Sequence, residues 1–190
     1  KQKTAYEIGV RLVGSEMCIR DRFYGKEEEV IQSEHLNDFS AKILRRCKRE
    51  PVAKILGLKE FWNLELQVSP YVLDARPDSE TLIEAARKQF PDKNRTLNVL
   101  DLGTGSGCLL LAALQEWPHS FGLGIDIDYR CIELAKKNAI RNGLNGRVKF
   151  QTGNWANDLD EKFDIILCNP PYIAANEISI LVEEVRLYEP

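Results

Sequence analysis

Beyond Pro91, apolar residues form four short runs that alternate with two longer amphipathic stretches. The stretches from about Cys108 to Trp117 and from Tyr129 to Asn142 have helical spacing, and Asn142-Gly143 closes the second. The runs, which we predict to be strands, are Leu97 to Asp101, Gly122 to Asp126, Val148 to Thr152 and Phe163 to Cys168. This alternation is typical of a parallel sheet covered by helices. We therefore predict the α/β class, with a Rossmann-like doubly wound parallel sheet that is cut short, because such sheets commonly have more than four strands.

The first half of the chain has a different organisation. Charged, helix-favouring residues from Phe23 to Arg49 predict two short amphipathic helices. Alternating apolar and polar residues between Glu50 and Leu73 predict a β-hairpin, and either Asp78 or Ser79 is suited to cap the helix that follows. We divide the chain into an artefact or disordered segment over 1–22, a partial helical domain over 23–58, a hairpin linker over 59–75 and a C-terminally incomplete sheet domain over 76–190.

Composition argues against several classes of function. The formal net charge of −3 provides no basic field, so we do not expect direct nucleic-acid binding through phosphates. The five cysteines include no C-x-x-C pair and only two histidines could join them, so we expect reduced thiols in a cytoplasmic protein and no metal site. No apolar run approaches the roughly 20 residues that span a bilayer, so we expect no membrane partner.

A glycine-rich segment at residues 101–107, DLGTGSG, joins the first predicted strand of the sheet domain to its first helix. Glycines permit a tight turn there and let a ligand approach the backbone closely. The N-terminus of the following helix offers free N–H groups and a positive dipole end, which suit a carboxylate or a phosphate. We predict cofactor contacts from Gly103, Thr104, Gly105, Ser106 and Gly107.

Asp126 ends the second predicted strand, where a carboxylate can accept hydrogen bonds from both hydroxyls of an adenosine ribose. Asp128 is an alternative for the same role. This placement suits NAD as well as S-adenosyl-L-methionine, but the G-x-G-x-G spacing favours the methyl donor over a dinucleotide. Trp155 follows the third strand, where its indole could cover the adenine or simply anchor a loop.

The tetrapeptide Asn169-Pro170-Pro171-Tyr172 follows the fourth predicted strand, at the same edge of the sheet. The side-chain oxygen of Asn169 and the carbonyl of Pro170 can accept the two N–H bonds of a planar NH2 group and so orient its nitrogen. Tyr172 can pack against that group. We predict catalytic roles for Asn169, Pro170 and Tyr172 and substrate binding by all four residues; the alternative is a Pro-Pro turn that only ends the strand.

These motifs together resemble the release factor glutamine N5-methyltransferases, a branch of the class I S-adenosylmethionine-dependent enzymes. The segments that carry the resemblance are 51–57 (PVAKILG), 60–62 (EFW), 76–80 (RPDSE), the glycine-rich segment and 169–173 (NPPYI). The resemblance implies a helical substrate-recognition domain, a hairpin linker and a catalytic Rossmann-like domain. It also implies methylation of the glutamine in the Gly-Gly-Gln motif of peptide chain release factors by a monomeric enzyme that acts in translation termination. By the same resemblance, Asn169 would contact both the donor and the substrate, and Arg76 to Glu80 would line the site near the methionine end of the donor.

Several positions depart from the pattern of this family. Asp78-Ser79 stands where Glu-Thr is usual, Ala75 where proline is frequent, and Lys54 where an aromatic residue often occurs. The family's catalytic domain also continues for roughly ninety residues beyond Pro190, given the usual length of such two-domain proteins. We therefore expect an exposed sheet edge and apolar surface, and a fragment that is poorly stable and inactive alone.

Two other functions remain open from the residues. An amino-methyltransferase that acts on adenine or guanine in nucleic acid uses the same kind of tetrapeptide on a flipped base. The net negative charge and the lack of a basic, aromatic-rich segment argue against it. A non-catalytic remnant that binds a protein through its N-terminal helices is the second alternative.

Overall fold

The described part of the structure, a computed structural model, comprises residues 32–157, 159–170 and 183–188. It divides into two compact units between Ile43 and Leu44. Helix α1, Ser33–Cys47, has apolar residues at helical spacing, and none of its side chains is buried. The rest of the segment predicted to form two helices, before residue 32, lies outside the described residues, as does all of the segment 1–22.

A short helix and a hairpin follow. Helix α2, Val52–Leu56, ends at Gly57, whose positive φ of 73° lets its N–H donate to the carbonyl of Ala53. Strands β1, Leu58–Phe61, and β2, Leu64–Gln67, pair in antiparallel fashion, as the apolar alternation predicts. Their apolar side chains enter the main core, and those that are buried are Phe61, Leu64 and Leu66.

The centre of the second unit is a parallel sheet with strand order β5-β4-β3-β6. Its strands are β3, Asn98–Leu102; β4, Phe121–Asp126; β5, Val148–Thr152; and β6, Ile165–Cys168. Each lies within two residues of its predicted bounds. The Rossmann-like α/β fold class is confirmed, and β3 lies between β4 and β6, so the strand order reverses direction at the glycine-rich segment that follows β3.

Three helices accompany this sheet: α3, Glu80–Gln89; α4, Cys108–Glu116; and α5, Tyr129–Arg141. Six consecutive residues of α4, from Leu109 to Leu114, are buried, which is typical of a helix surrounded by protein. A Cβ on Gly122 of β4 would lie 2.6 Å from Leu110 Cδ1, so α4 packs directly on the strand backbone. Phe121 and Ile166 on the same sheet remain 53% and 61% exposed.

The start of α3 confirms Ser79 as the N-cap residue but not a capping hydrogen bond from its side chain. A 3-10 turn, Pro77–Ser79, precedes the helix, and Ser79 occupies the N-cap position but makes no capping hydrogen bond with its side chain. Ser79 has helical dihedral angles, φ −68° and ψ −19°, whereas a capping serine normally has extended ones. Its hydroxyl is therefore available to another part of the chain. A last short helix, α6, spans Glu183–Tyr188.

Among the described residues, no helix combines the length and the apolar character needed to cross a bilayer.

Candidate functional site

The glycine-rich segment turns sharply as it leaves β3. The N–H groups of Gly103 and Thr104 both donate to the carbonyl of Ile125, each at 2.9 Å, which ties the turn to the end of β4. Gly103, Gly105 and Gly107 have φ angles of 71°, 55° and 82°, in the left-handed region that favours glycine. The turn therefore depends on these glycines for its backbone conformation.

A cavity of about 350 Å³, which we call the strand-end cavity, opens where the parallel strands end. Six residues predicted to bind cofactor or substrate line it: Gly103, Gly105, Asp126, Trp155, Asn169 and Pro170. A smaller inner cavity of about 40 Å³ adjoins these residues, since Gly103, Gly105 and Asn169 line both spaces. The structure thus brings together side chains from three strand ends that are far apart in the sequence.

The carboxylate of Asp126 is held by two backbone groups. Its Oδ2 accepts from the N–H of Gly105 at 2.8 Å and its Oδ1 from the N–H of Asp128 at 3.0 Å. Each carboxylate oxygen can accept a further hydrogen bond, so a pair of neighbouring hydroxyls fits this orientation. Asp126 therefore has the geometry expected of a ribose-binding carboxylate.

Asp128, the alternative to Asp126, is engaged by its own helix. It is the N-cap of α5, where it accepts from the N–H of Arg130 at 2.8 Å, and the Arg130 guanidinium donates to both of its oxygens at 2.6 to 3.1 Å. These hydrogen bonds hold the pKa of the Asp128 carboxyl below its usual range. Both carboxylates line the strand-end cavity, but Asp128 is already paired with Arg130.

Asp101 is a buried acid beside the inner cavity. Its Oδ2 accepts from Thr104 Oγ1 at 2.7 Å, while its Oδ1 has no hydrogen-bond donor among the described residues. Burial raises the pKa of Asp101 to about 6, and the nearby charge of Asp126 adds to the effect. A buried acceptor without a donor is costly, so this oxygen is suited to a ligand that brings an N–H group.

Trp155 lines the strand-end cavity just after β5 and is 53% exposed. Its φ angle of 58° is uncommon for a residue with a bulky side chain. Such backbone conformations concentrate at functional sites. Trp155 thus lies at the cavity, while its role in covering a ligand stays a prediction, and no feature of the sequence indicates its left-handed conformation.

Asn169 lies immediately after β6 and lines both cavities. Its Nδ2 donates to Ser79 Oγ at 2.9 Å, and Ser79 is 7% exposed. Because the amide nitrogen is engaged by the protein, the amide oxygen is the atom left to accept from a ligand. Pro170 also lines the strand-end cavity, whereas the predicted substrate contacts Pro171 and Tyr172 lie outside the described residues.

Three residues of the predicted glycine-loop set lie away from the strand-end cavity. Thr104 and Ser106 line only the inner cavity, where Thr104 donates to Asp101 and the carbonyl of Ser106 accepts from Asn138 Nδ2 at 2.9 Å. Gly107 is the N-cap of α4, and a Cβ there would lie 3.3 Å from Ala135 Cβ. These residues shape the turn and pack it against the core.

Sequence reasoning missed one wall of the strand-end cavity. Tyr71, Val72 and Leu73 line it, although the sequence predicted only the end of a hairpin region there and gave these residues no part in the site. The available signal was a short apolar run between Pro70 and the charged residues that follow. Such a run inside a linker indicates a surface that packs against another part of the protein.

Comparison with known proteins gives a consistent family. The family model for the methyltransferase small domain matches residues 76–185. A release factor glutamine methyltransferase of Rhodospirillum rubrum is 42% identical over 86% of this chain and 50% of its own length. Its counterpart in Caulobacter vibrioides is 42% identical over 82% of this chain and 53% of its own length. The chain therefore spans about half the length of these curated relatives.

Solved structures with lower sequence identity share the fold. The catalytic domain of human METTL16, in complex with a 3′UTR hairpin, aligns with a TM-score of 0.52 and 24% identity over 67% of this chain and 47% of its own. A human methyltransferase 10 domain containing protein aligns with a TM-score of 0.50 and 22% identity over 63% of this chain and 61% of its own. At this identity the alignments support the architecture of the sheet and its helices.

Proposed function

Because this chain belongs to the methyltransferase small domain family, we propose that it forms the donor and acceptor sites of a protein-glutamine N-methyltransferase. The proposed reaction is N5-methylation of the glutamine in the Gly-Gly-Gln motif of peptide chain release factors, and relatives named release factor glutamine methyltransferase support this substrate class. The observation that carries the proposal is the position of Asn169, which lines the strand-end cavity and whose amide nitrogen, not its oxygen, is bound by Ser79 within the described residues.

The cofactor of this family is S-adenosyl-L-methionine, and the residues present fit it. When bound, it supplies a methyl group that a positively charged sulfur makes electrophilic. Asp126 would accept from the ribose hydroxyls, and Trp155 would cover the adenine. The Oδ1 of Asp101, which lacks a donor among the described residues, would accept from the ammonium group. The glycine turn lets the ligand approach the backbone because Gly103 and Gly105 carry no side chains.

The acceptor glutamine needs orientation, since the lone pair of an amide nitrogen is delocalised. The Asn169 oxygen and the Pro170 carbonyl would accept its two N–H bonds, and proline adds stiffness without a competing donor. Pro171 and Tyr172 complete the proposed acceptor site. No general base is required in this scheme, because the sulfonium of the donor is activated and positioning of the two reactants supplies much of the rate.

The proposed partner is therefore a release factor, and the proposed setting is the cytoplasm, where translation terminates. We further propose that the enzyme acts as a monomer and makes no direct contact with nucleic acid. The net charge of −3 supports the second point, because it gives no overall attraction to phosphates.

Transfer of a labelled methyl group by the full-length protein tests the proposal. We expect label in a release factor and none in the same factor with the motif glutamine replaced by alanine. Label in DNA or RNA, with none in the release factor, would overturn the substrate in favour of the nucleic-acid alternative. Failure to bind S-adenosylhomocysteine in calorimetry would favour the non-catalytic alternative.

A further inference from the structure

A buried lysine contacts the segment that forms one wall of the strand-end cavity. The side chain of Lys54, on α2, is 4% exposed. Its Nζ donates to the carbonyls of Ser69 and Val72 at 2.5 and 2.7 Å, and it lies 3.0 Å from Asp74 Oδ1. The ammonium thus makes two hydrogen bonds to carbonyls and one ion pair, because Asp74 Oδ1 has no hydrogen-bond partner among the described residues.

The three acceptors are spread along one segment, Ser69 to Asp74, which we call the wall segment. It contains no helix or strand, and its one internal backbone hydrogen bond among the described residues runs from the N–H of Val72 to the carbonyl of Ser69 at 3.2 Å, so the Val72 carbonyl relies on Lys54. The middle of the wall segment, Tyr71 to Leu73, lines the strand-end cavity, and Leu73 and Asp74 line the inner cavity. The ammonium of Lys54 thus binds the backbone of a segment that forms part of the lining of both cavities.

The wall segment also contacts helix α5, which follows β4. The Arg130 guanidinium lies 4.9 Å from the centre of the Tyr71 ring, and Cys131 Sγ donates to the carbonyl of Tyr71 at 3.6 Å. Val72 packs with Cys131 and Leu134 of α5. Of these contacts only the one from Cys131 reaches the backbone, whereas Lys54 holds the backbone at two points.

We infer that Lys54 is a positioning residue for the cofactor: its ammonium fixes the wall segment in the shape that closes the strand-end cavity. This inference rests on the proposed donor site and extends it to a residue that touches neither cavity. It also gives a physical role to Lys54, which stands where the release factor glutamine methyltransferases often have an aromatic residue. Without the ammonium, the Val72 carbonyl would lose its donor, the Ser69 carbonyl would keep only the N–H of Val72, and Asp74 would lose the cation opposite it.

The test is donor-site affinity in the full-length protein, measured with S-adenosylhomocysteine by calorimetry. We expect Lys54→Met to raise the Kd about tenfold. This follows if the wall segment of the variant is in its binding conformation about a tenth of the time, because the apparent Kd is the intrinsic Kd divided by that fraction. Hydrogen exchange should accelerate at the amides of the wall segment. Lys54→Arg, which keeps a buried cation with several donors, should restore most of the affinity.

A matched control separates positioning from general stability. Trp117→Phe removes the 3.1 Å hydrogen bond from Trp117 Nε1 to the carbonyl of Phe90, away from both cavities. It should lower Tm and leave the Kd and the exchange of the wall segment unchanged. If Lys54→Met does not fold, Asp74→Asn keeps both carbonyl contacts and removes only the charge, and it should raise the Kd about threefold on the same population argument.

The results of these experiments can overturn the role of Lys54 separately from the proposed release factor substrate. An unchanged Kd in Lys54→Met, or in Asp74→Asn if the first variant is unfolded, would overturn the role of Lys54. Absence of S-adenosylhomocysteine binding by the unmodified protein would overturn both the donor site and the role of Lys54. Normal binding and the expected loss in Lys54→Met, together with no methylation of a release factor, would support Lys54 and overturn only the substrate.

Discussion

Asn169 and Ser79 are 90 positions apart in the sequence, and the Asn169 amide nitrogen donates to the Ser79 hydroxyl at 2.9 Å. Ser79 holds the N-cap position of α3 without capping the helix, so its hydroxyl serves Asn169 instead. The contact fixes which end of the Asn169 amide is free. It therefore connects the start of the sheet domain to the residue that would accept from the glutamine N–H.

We expect Ser79→Ala to lower kcat for release factor methylation about tenfold, because small misplacement of an orienting group costs between tenfold and a hundredfold. The Kd for S-adenosylhomocysteine should stay unchanged, since the Asp126 contacts are intact. Ser79→Thr keeps the hydroxyl and should retain activity. A loss of donor affinity equal to the loss of kcat would show that Ser79 supports the whole cavity and not the amide alone.

Removal of the charge at Asp126, the last residue of β4, and at Asp128, two residues further on, should have different effects on ligand affinity and stability. Asp126→Asn should raise the Kd for S-adenosylhomocysteine at least about tenfold, because hydrogen bonds to an ionised acceptor are about twice as strong as neutral ones. Asp128→Asn is the matched control, since asparagine also caps helices well. It should lower Tm through loss of the Arg130 ion pair and leave the Kd unchanged. The reverse pattern, measured by calorimetry and melting, would assign the ribose to Asp128.

The sheet could be predicted from the sequence because local chemistry determines it. Apolar runs bounded by glycine and polar residues placed the four strands within two residues of their observed bounds. The carboxyl ends of parallel strands meet at one edge, so the sequence alone was enough to place Asp126 and Asn169 together. The same rule brought Trp155 to the cavity.

The remaining features depend on contacts that no local pattern encodes. Asp126 is the last residue of β4 and Asp128 lies two residues further on, and their hydrogen bonds to Gly105 and Arg130 distinguish them. Serine is a residue type that commonly caps helices, but Ser79 has helical dihedral angles and its hydroxyl accepts a hydrogen bond from Asn169. Lys54 was visible only as a departure from a family pattern, because its acceptors lie 15 and 18 residues further along the chain.

The buried acid Asp101 should make stability depend on pH in a particular direction. Its pKa rises from an ordinary 3.8 to about 6 in the folded protein, chiefly through burial. Between pH 3.8 and about pH 6 the folded state therefore binds one more proton at Asp101 than the unfolded state does. The contribution of this group to the unfolding free energy is fully present below pH 3.8 and is lost as pH rises through about 6. Asp101→Asn is neutral at every pH and removes this dependence.

We therefore expect the unfolding free energy of Asp101→Asn to rise relative to the unmodified protein by up to about 3 kcal/mol between pH 4 and pH 7. Urea unfolding at each pH measures it, and other titrating groups cancel in the difference. The same variant should bind S-adenosylhomocysteine more weakly, because it lacks a charge opposite the ligand ammonium. A difference in stability that does not change with pH would show that the folded pKa of Asp101 is ordinary.

The close packing of α4 on β4 should make Gly122 intolerant of a side chain. A Cβ there would lie 2.6 Å from Leu110 Cδ1 and 3.1 Å from Leu110 Cγ, and Leu110 is fully buried, so it has no space to move into. We expect Gly122→Ala to lower the unfolding free energy by about 1 to 3 kcal/mol, the usual cost of overpacking a core.

Gly146→Ala is the matched control for that substitution. A Cβ at Gly146 would meet no atom within 4 Å, and its φ is not in the left-handed region. Its stability in urea should equal or slightly exceed that of the unmodified protein, because alanine reduces the entropy of the unfolded chain. Because β4 ends at Asp126, a shift of this strand should also weaken S-adenosylhomocysteine binding in Gly122→Ala but not in Gly146→Ala. Equal stability of the two variants would mean that α4 can move away from the sheet at little cost.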